Sequence, residues 1–163
     1  MKYIAYGSNM VAEQMAHRCP GAKLIGTGYL PNHRLEFYLH ATVERTRAHD
    51  AKVPVAVWEI TAADERSLDR YEGFPTYYTK HRRRVVMDDG SELWGMVYIM
   101  NMIRPQPPTP AYYSGIHNAY VKLGLRSEIQ LMNCIALLPL PNTEAAFFFA
   151  CLPARRAFES AGQ

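Results

Sequence analysis

Cysteine is scarce in this chain of 163 residues, and its three copies are widely spaced, at Cys19, Cys134 and Cys151. Three thiols cannot all pair within one chain and no two form a Cys-x-x-Cys motif. The sequence therefore excludes a disulfide-stapled miniprotein and favours a reducing, cytoplasmic setting. A large excess of one charge sign is also lacking, because the chain has 18 Lys and Arg residues and 15 Asp and Glu residues. A net charge of +3 is too small to predict a dedicated nucleic-acid-binding protein.

Signatures of cofactors, metals and membranes are missing as well. The six histidines form no His-x-x-x-His pair or Cys/His cluster, and no phosphate loop of the Gly-x-x-x-x-Gly-Lys type occurs. No Gly-x-Ser-x-Gly elbow is present, although a Ser-His-Asp triad need not be local in sequence. The N-terminus lacks the apolar segment of a signal peptide, and no apolar run reaches the roughly 20 residues that span a bilayer. We therefore expect no metal, no cofactor and no membrane partner.

The hydrophobic pattern predicts about six short strands and three or four helices, without the strict strand–helix alternation of a parallel sheet. Aromatic and β-branched runs predict strands at residues 2–6, 24–29, 35–39 and 53–60. Asp88-Asp89-Gly90 predicts the turn of a hairpin over residues 77–100. Helices are predicted at 10–17, 61–71 and 111–123, and a mobile loop at 42–52. We expect an α+β fold in which a small mixed β-sheet curls into a barrel with flanking helices.

The segment Tyr6-Gly7-Ser8-Asn9-Met10 ends the first predicted strand and leads into a helix that Ser8 or Asn9 would cap. A strand that turns sharply into a helix leaves unpaired backbone N–H groups at the electropositive helix start. Such an end can hold a carboxylate or an oxyanion. Gly7 lets a ligand approach the backbone closely, and Ser8 and Asn9 add donors. A simple capped turn explains the same pattern, so both interpretations stay open.

Glu72 stands at the predicted C-terminal end of a helix that begins with a capping box at Thr61 and Asp64. The helix dipole is negative at that end, which disfavours an ionised carboxyl. Aromatic neighbours that would withdraw the carboxyl from water are Tyr71, Phe74, Tyr77 and Tyr78. Both effects raise the pKa of a carboxyl group, and one that titrates near neutral pH is a candidate general base. An exposed Glu at a turn is the alternative interpretation.

A basic run, Lys-His-Arg-Arg-Arg at residues 80–84, is the main argument for a nucleic-acid partner. Successive residues of a strand face opposite sides, so only alternate charges share a surface. We interpret the run as a solvated hairpin face and expect no nucleic-acid partner. RNA binding is the alternative, and it predicts strongly salt-dependent retention on nucleic acid.

The sequence after residue 127 is strongly apolar over residues 129–140 and 145–152 and contains Phe147-Phe148-Phe149. Prolines and polar residues interrupt it, and neither half is long enough to span a bilayer. We divide the chain into a domain over residues 1–127 and an apolar extension over residues 128–163. The extension is expected to pack on the domain or on a second copy, which predicts a homodimer, because such a segment would be sticky if exposed.

Two motifs far apart in the chain occur together in one known family. The first predicted strand is followed by YGSNM, and later segments read VPVAVWEI and LDRYEGFP, with a tyrosine, Tyr78, six positions after Glu72. Residues 109–125 read TPAYYSGIHNAYVKLGL. In these segments the chain resembles the γ-glutamylcyclotransferase-like (AIG2-like) family over Lys2 to Leu125. The succession of YGSN and YEGFP is the specific part of the resemblance.

The resemblance implies a small mixed α/β barrel and an enzyme that cyclises the γ-glutamyl group of a γ-glutamyl amine or amino acid to 5-oxoproline. The free amine is released, and Glu72 is implied as the catalytic general acid and base. The residues implied to bind the substrate are Tyr6, Gly7, Ser8, Asn9, Met10, Tyr78 and Tyr112. The α-amino group of the substrate is the implied nucleophile, so the resemblance implies neither cofactor nor metal.

A binding or interaction module that keeps the pocket without turnover is the alternative, because fold and activity are separable. The retained Glu72 favours an enzyme of the transferase or lyase type, since a pure binder has no need of the carboxylate. Formation of 5-oxoproline from a panel of γ-glutamyl compounds would distinguish the two. The sequence leaves open which γ-glutamyl compound is the substrate.

Overall fold

A closed barrel of five strands forms the centre of the fold in the computed structural model, which describes residues 1–101 and 106–125. The strands of the barrel and of a separate hairpin are, in chain order, β1 (Lys2–Ala5), β2 (Lys23–Pro31), β3 (His33–Tyr38), β4 (His40–Arg45), β5 (Lys52–Glu59), β6 (Tyr78–Met87) and β7 (Glu92–Met100). The helices are α1 (Ala12–Arg18), α2 (Ala62–Glu72) and α3 (Pro110–Lys122), and a 3₁₀ turn (Ser8–Met10) joins β1 to α1. The barrel order is β1-β5-β2-β6-β7, and β3 and β4 form a separate hairpin. The predicted α+β barrel with helices is therefore confirmed.

The barrel closes through a parallel contact between β1 and β7, at Tyr3 and Met96, whereas its other strand pairs are antiparallel. The sheet is therefore mixed, as predicted. β5 lies between β1 and β2 and buries Val53, Val55 and Val57 completely. Alternate β-branched residues on one face are typical of a strand that packs inward. Full burial of each valine contributes about 1.5–3 kcal/mol.

The predicted hairpin is confirmed as β6 and β7, which pair with Tyr78 directly opposite Met100. Its turn is stabilised by Asp89, because the carboxylate accepts hydrogen bonds from the backbone N–H and the hydroxyl of Ser91. The hairpin places Tyr78 at one end of the barrel, beside the residues that follow β1.

The prediction of a mobile loop over residues 42–52 is wrong for its first part, which belongs to β4. Leu35 of β3 lies opposite Val43 of β4, and both side chains are buried. One charged residue of that segment, Glu44, pairs across the hairpin with Arg34 in an ion pair with an N–O distance of 2.9 Å. Cross-strand pairs of opposite charge stabilise antiparallel strands, so a polar segment can still be a strand.

Neither Ser8 nor Asn9 caps α1, so this detail of the prediction is wrong. Both residues lie in the 3₁₀ turn, and α1 begins only at Ala12, after Val11, without a side-chain cap. The Asn9 amide is engaged elsewhere, because its nitrogen donates to groups on β1 and α2.

The capping box at the start of α2 is confirmed. Thr61 Oγ1 accepts a hydrogen bond from the Asp64 backbone N–H at 3.2 Å, and Asp64 Oδ2 accepts one from the Thr61 N–H at 2.9 Å. The helix ends at Glu72 because Gly73 adopts a left-handed φ of 63°, which favours glycine. Glu72 is therefore the last residue of α2, close to its predicted position at the helix end.

The predicted apolar extension, residues 128–163, lies outside the described residues, as does the homodimer predicted from it. Among the helices that the structure describes, none combines the length and apolar character of a bilayer-spanning segment. The same part of the chain contains no group of three or more His, Cys, Asp or Glu side chains arranged to hold a metal ion.

Candidate active site

A small, partly enclosed cavity lies where the 3₁₀ turn and the end of α2 meet. β5 runs antiparallel to β1 and therefore ends at the other end of the barrel, where β1 begins. α2 follows β5 and returns toward the end of β1, which brings its last residue to the 3₁₀ turn. The residues that line the cavity are Tyr3, Tyr6, Gly7, Ser8, Asn9, Ala41, Glu72, Tyr78, Tyr98 and Tyr112.

Glu72 is held against the 3₁₀ turn by a hydrogen bond from Asn9, with an Nδ2–Oε1 distance of 2.7 Å. Asn9 itself is only 4% exposed. Its Nδ2 also donates to the Tyr3 hydroxyl at 2.7 Å, so both amide hydrogens are used. The two sequence motifs that predicted a site are therefore in direct contact.

Burial raises the pKa of the Glu72 carboxyl from 4.5 to about 7. The hydrogen bond from Asn9 and the positive charge of Arg18 oppose this rise, because both favour the ionised form. A carboxyl with this pKa is present in both protonation states near neutral pH. It can therefore accept a proton at one step and return it at another.

Of the four aromatic neighbours that the segment around Glu72 suggested for the carboxyl, one lines the cavity. Tyr78 lines the cavity as predicted, but Tyr71 and Phe74 are 50% and 39% exposed. Tyr77 contacts His40, with 3.1 Å between its hydroxyl and Nδ1. The walls that withdraw the carboxyl from water are completed by Tyr3 of β1, Tyr6 directly after β1, Tyr98 of β7 and Tyr112 of α3.

The tyrosine hydroxyls fix the walls through backbone hydrogen bonds. Tyr6 donates to the carbonyl oxygen of Tyr98 at 2.6 Å, and Tyr78 donates to that of Ala41 at 2.8 Å. Tyr112 accepts from the Ala41 N–H at 3.2 Å, and burial raises its pKa to about 12. Burial also raises the pKa of Tyr6 and Tyr78, so these hydroxyls stay neutral across the physiological range.

The backbone N–H groups of Gly7, Ser8 and Asn9, here called the amide cradle, donate no hydrogen bond within the part of the chain that the structure describes. Hydrogen bonding resumes one residue later, where the Met10 N–H donates to the Gly7 carbonyl oxygen at 3.0 Å. A Cβ atom on Gly7 would lie 3.3 Å from the Cβ of Ala41. A side chain at this position would therefore crowd Ala41, and glycine leaves this side of the cavity open.

The structure brings together seven of the eight predicted site residues. Met10 is the exception, because its side chain is 1% exposed in the core and its N–H is already bonded. Sequence reasoning missed Tyr3, Ala41 and Tyr98. No local signal points to Tyr3 or Tyr98, since Tyr3 lies in β1 and Tyr98 in β7, and these strands become neighbours only in the barrel.

Two of the four Lys and Arg side chains in the basic run at residues 80–84 pair with acidic side chains. Lys80 forms ion pairs with Glu65 and Asp69 at 2.6 and 2.7 Å. Arg84 pairs with Glu92 at 2.8 Å. Lys80 and Arg84 thus have separate acidic partners, on α2 and β7 respectively.

Comparison with known proteins gives the site its context. Residues 3–117 match the family described as "Gamma-glutamyl cyclotransferase, AIG2-like". The chain belongs to this family. It is 26% identical over 139 residues to the Homo sapiens protein named gamma-glutamylcyclotransferase, and 27% identical to that of Mus musculus. Each alignment covers 78% of this chain and 74% of the relative.

Solved structures of other proteins share the fold. A structure named gamma-glutamyl cyclotransferase superposes with a TM-score of 0.74 at 26% identity, covering 87% of this chain and 90% of that one. The YkqA protein from Bacillus subtilis, at 18% identity and a TM-score of 0.69, shares the fold alone. Together the relatives support a cyclotransferase type of enzyme at the level of the family.

Proposed function

We propose that this chain converts a γ-glutamyl amine or γ-glutamyl amino acid into 5-oxoproline and the free amine, with Glu72 as the general acid and base. The observation that carries the proposal is the meeting of two groups in one cavity. A carboxyl with a pKa of about 7 lies beside three backbone N–H groups that have no hydrogen-bond partner among the described residues. The carboxyl can move protons near neutral pH, and the N–H groups can hold an anionic oxygen.

The substrate supplies its own nucleophile, the α-amino group. Attack on the γ-carbonyl carbon forms the C–N bond of a five-membered ring and breaks the bond to the leaving amine. The α-ammonium group loses two protons on the way to the lactam, and the leaving amine gains two. Glu72 relays protons between these nitrogens and ends in the state in which it began. The reaction needs no external nucleophile, metal or cofactor.

The amide cradle supports the proposal because it lines the same cavity as Glu72. As the ring closes, the γ-carbonyl oxygen takes up negative charge, and donors already in place stabilise it without reorganisation. The same donors suit the α-carboxylate of the substrate. The tyrosine walls leave limited room, so a bound γ-glutamyl group is held folded, which brings the amine close to the carbonyl.

The setting of the reaction is also part of the proposal. The partner is a small γ-glutamyl molecule, without nucleic acid or membrane, and the location is the cytoplasm. Cys19 is buried as a free thiol, which suits a reducing compartment. A homodimer through residues 128–163 stays a prediction.

The direct test is a panel of γ-glutamyl amines and amino acids assayed for 5-oxoproline. The native chain should produce it from at least one member. Glu72→Gln should lower kcat by about 100-fold or more, since general acid–base transfer supplies about 10²–10⁴-fold. Glu13→Gln is the matched control, because Glu13 lies on the exposed surface of α1 in an ion pair with Lys122.

Two results would contradict the proposal. Turnover by Glu72→Gln at the native rate would remove Glu72 from the chemistry. Tight binding across the panel without any 5-oxoproline would make the chain a binding module.

A further inference from the structure

Arg18, the last residue of α1, reaches back to the 3₁₀ turn beside the cavity. Its Nη1 donates to the Asn9 Oδ1 at 2.5 Å and to the Ser8 Oγ at 3.2 Å. The guanidinium also lies over the ring of Tyr71, 3.6 Å from the ring centroid. Arg18 is therefore held from two sides, by the turn before α1 and by the last turn of α2.

The contact with Asn9 determines which way the amide faces. A guanidinium group has donors only, so the atom that it contacts must be the amide oxygen. With the oxygen committed to Arg18, the NH₂ group faces the opposite way, where it donates to Tyr3 and Glu72. If the amide turned over, its oxygen would face the carboxylate, and the hydrogen bond would become a repulsive contact.

We infer that Arg18 is a positioning residue: by holding the Asn9 amide in one orientation, it fixes the Glu72 carboxyl toward the substrate. This inference rests on the proposed function of Glu72. The relay runs from α1 through the 3₁₀ turn to the end of α2, over two hydrogen bonds and three side chains. When Glu72 is protonated, its O–H could donate to the amide oxygen, so the contact with Arg18 is what keeps the amide in one orientation in both protonation states.

The charges around Glu72 predict how this relay affects titration. Arg18 on α1 is the cation that lowers the pKa of Glu72, against the larger effect of burial. The other titratable groups that act with Glu72 are hydroxyls with raised pKa values, at Tyr3, Tyr6, Tyr78, Tyr98 and Tyr112. They stay neutral near pH 7. Removing the Arg18 cation and freeing the amide should therefore raise the pKa of Glu72 further.

The experiment follows the Glu72 carboxyl directly by ¹³C NMR titration of the full chain, with its signal assigned by its loss in Glu72→Gln. In Arg18→Met the titration midpoint should move up by about one pH unit or more, because a nearby positive charge is removed. Arg70→Met is the matched control, because Arg70 is an exposed cation on α2 only two residues from Glu72. It should leave the midpoint in place.

Arg18→Lys separates charge from geometry and guards against misfolding of the methionine variant. Lysine keeps the cation but lacks the planar fork, so the midpoint should stay near that of the native chain. On the panel substrate, the kcat of Arg18→Lys should still fall, about tenfold, with little change in KM. The acid limb of the Arg18→Met pH–rate profile should move up together with its NMR midpoint.

An unchanged midpoint in Arg18→Met, or an equal shift in Arg70→Met, would overturn the inference, as would an Arg18→Lys variant with native kcat. The NMR titration does not require turnover. A chain without cyclotransferase activity in which the midpoint still shifts would refute the proposed function but keep the Arg18–Asn9–Glu72 relay.

Discussion

Replacing Glu72 with glutamine should make the protein more stable while it removes the activity. Burial raises the pKa of this carboxyl from 4.5 to about 7, so the folded chain holds the proton more tightly than the unfolded chain does. Below pH 4.5 both states are protonated and the group has no effect on stability. As the pH rises from 4.5 to 7, the folded state binds more protons than the unfolded state, and stability is lost.

The size of the effect follows from the same pKa. A difference of about 2.5 pH units corresponds to up to about 3 kcal/mol at 1.36 kcal/mol per unit. Glutamine has the same shape, and its amide oxygen can accept the hydrogen bond that Asn9 now donates to Glu72. The substitution should therefore raise the free energy of unfolding by up to about 3 kcal/mol at pH 8, and by less than about 1 kcal/mol at pH 5.

The assay is chemical denaturation of the native chain, Glu72→Gln and the control Glu13→Gln at pH 5, 6, 7 and 8. The stability difference for Glu72→Gln should grow with pH and follow a titration curve, whereas the control should show no such growth. A gain of equal size at every pH would mean that the substitution acts through packing. No gain at pH 8 would mean that the carboxyl ionises as it does in water, and the reasoning about the cavity would be refuted.

Three further predictions concern the pH dependence, the amide cradle and the end of α2. The kcat/KM of the native chain should fall about tenfold per pH unit below about pH 7, because the ionised form of Glu72 is the base; a rate independent of pH between 5 and 7 would contradict this. Gly7→Ala places a Cβ atom 3.3 Å from that of Ala41 and narrows the cavity. The KM should therefore rise about tenfold while the melting temperature stays near that of the native chain. An unchanged KM would argue against substrate binding at the cradle. Gly73→Ala should lower the free energy of unfolding by about 1–2 kcal/mol, because Gly73 has a φ of 63° and a Cβ there would lie 3.1 Å from that of Tyr77. A native denaturation midpoint would show that the helix end tolerates the side chain.

The parts of the fold that sequence could predict are those determined by local chemistry. The capping box at Thr61 and Asp64 and the turn at Asp88-Asp89-Gly90 each depend on a few consecutive residues. The exit from α2 is of the same kind, since Gly73 permits the left-handed conformation that ends the helix after Glu72. For this reason the position of Glu72 at a helix end was predictable without knowledge of the barrel.

The rest depended on contacts between distant segments. β4 is polar, and its pairing with β3 buries Val43, which no local pattern indicates. The walls around Glu72 come from strands and a helix that meet only when the barrel closes, as Tyr98 and Tyr112 show. Nothing in the sequence distinguishes Arg18 from a surface charge, because Asn9 comes within its reach only through the 3₁₀ turn that takes the place of the expected helix cap.

The central claim is that the Glu72 carboxyl and the amide cradle face one another across a bound γ-glutamyl group. A crystal structure with 5-oxoproline tests it directly, because the ring nitrogen of this product is the former α-amine. We expect a Glu72 oxygen at about 2.6–3.2 Å from that nitrogen, with the N–H groups of Gly7 to Asn9 pointing at product oxygens. A product bound in the cavity with its ring nitrogen turned away from Glu72, or bound elsewhere on the chain, would contradict the account.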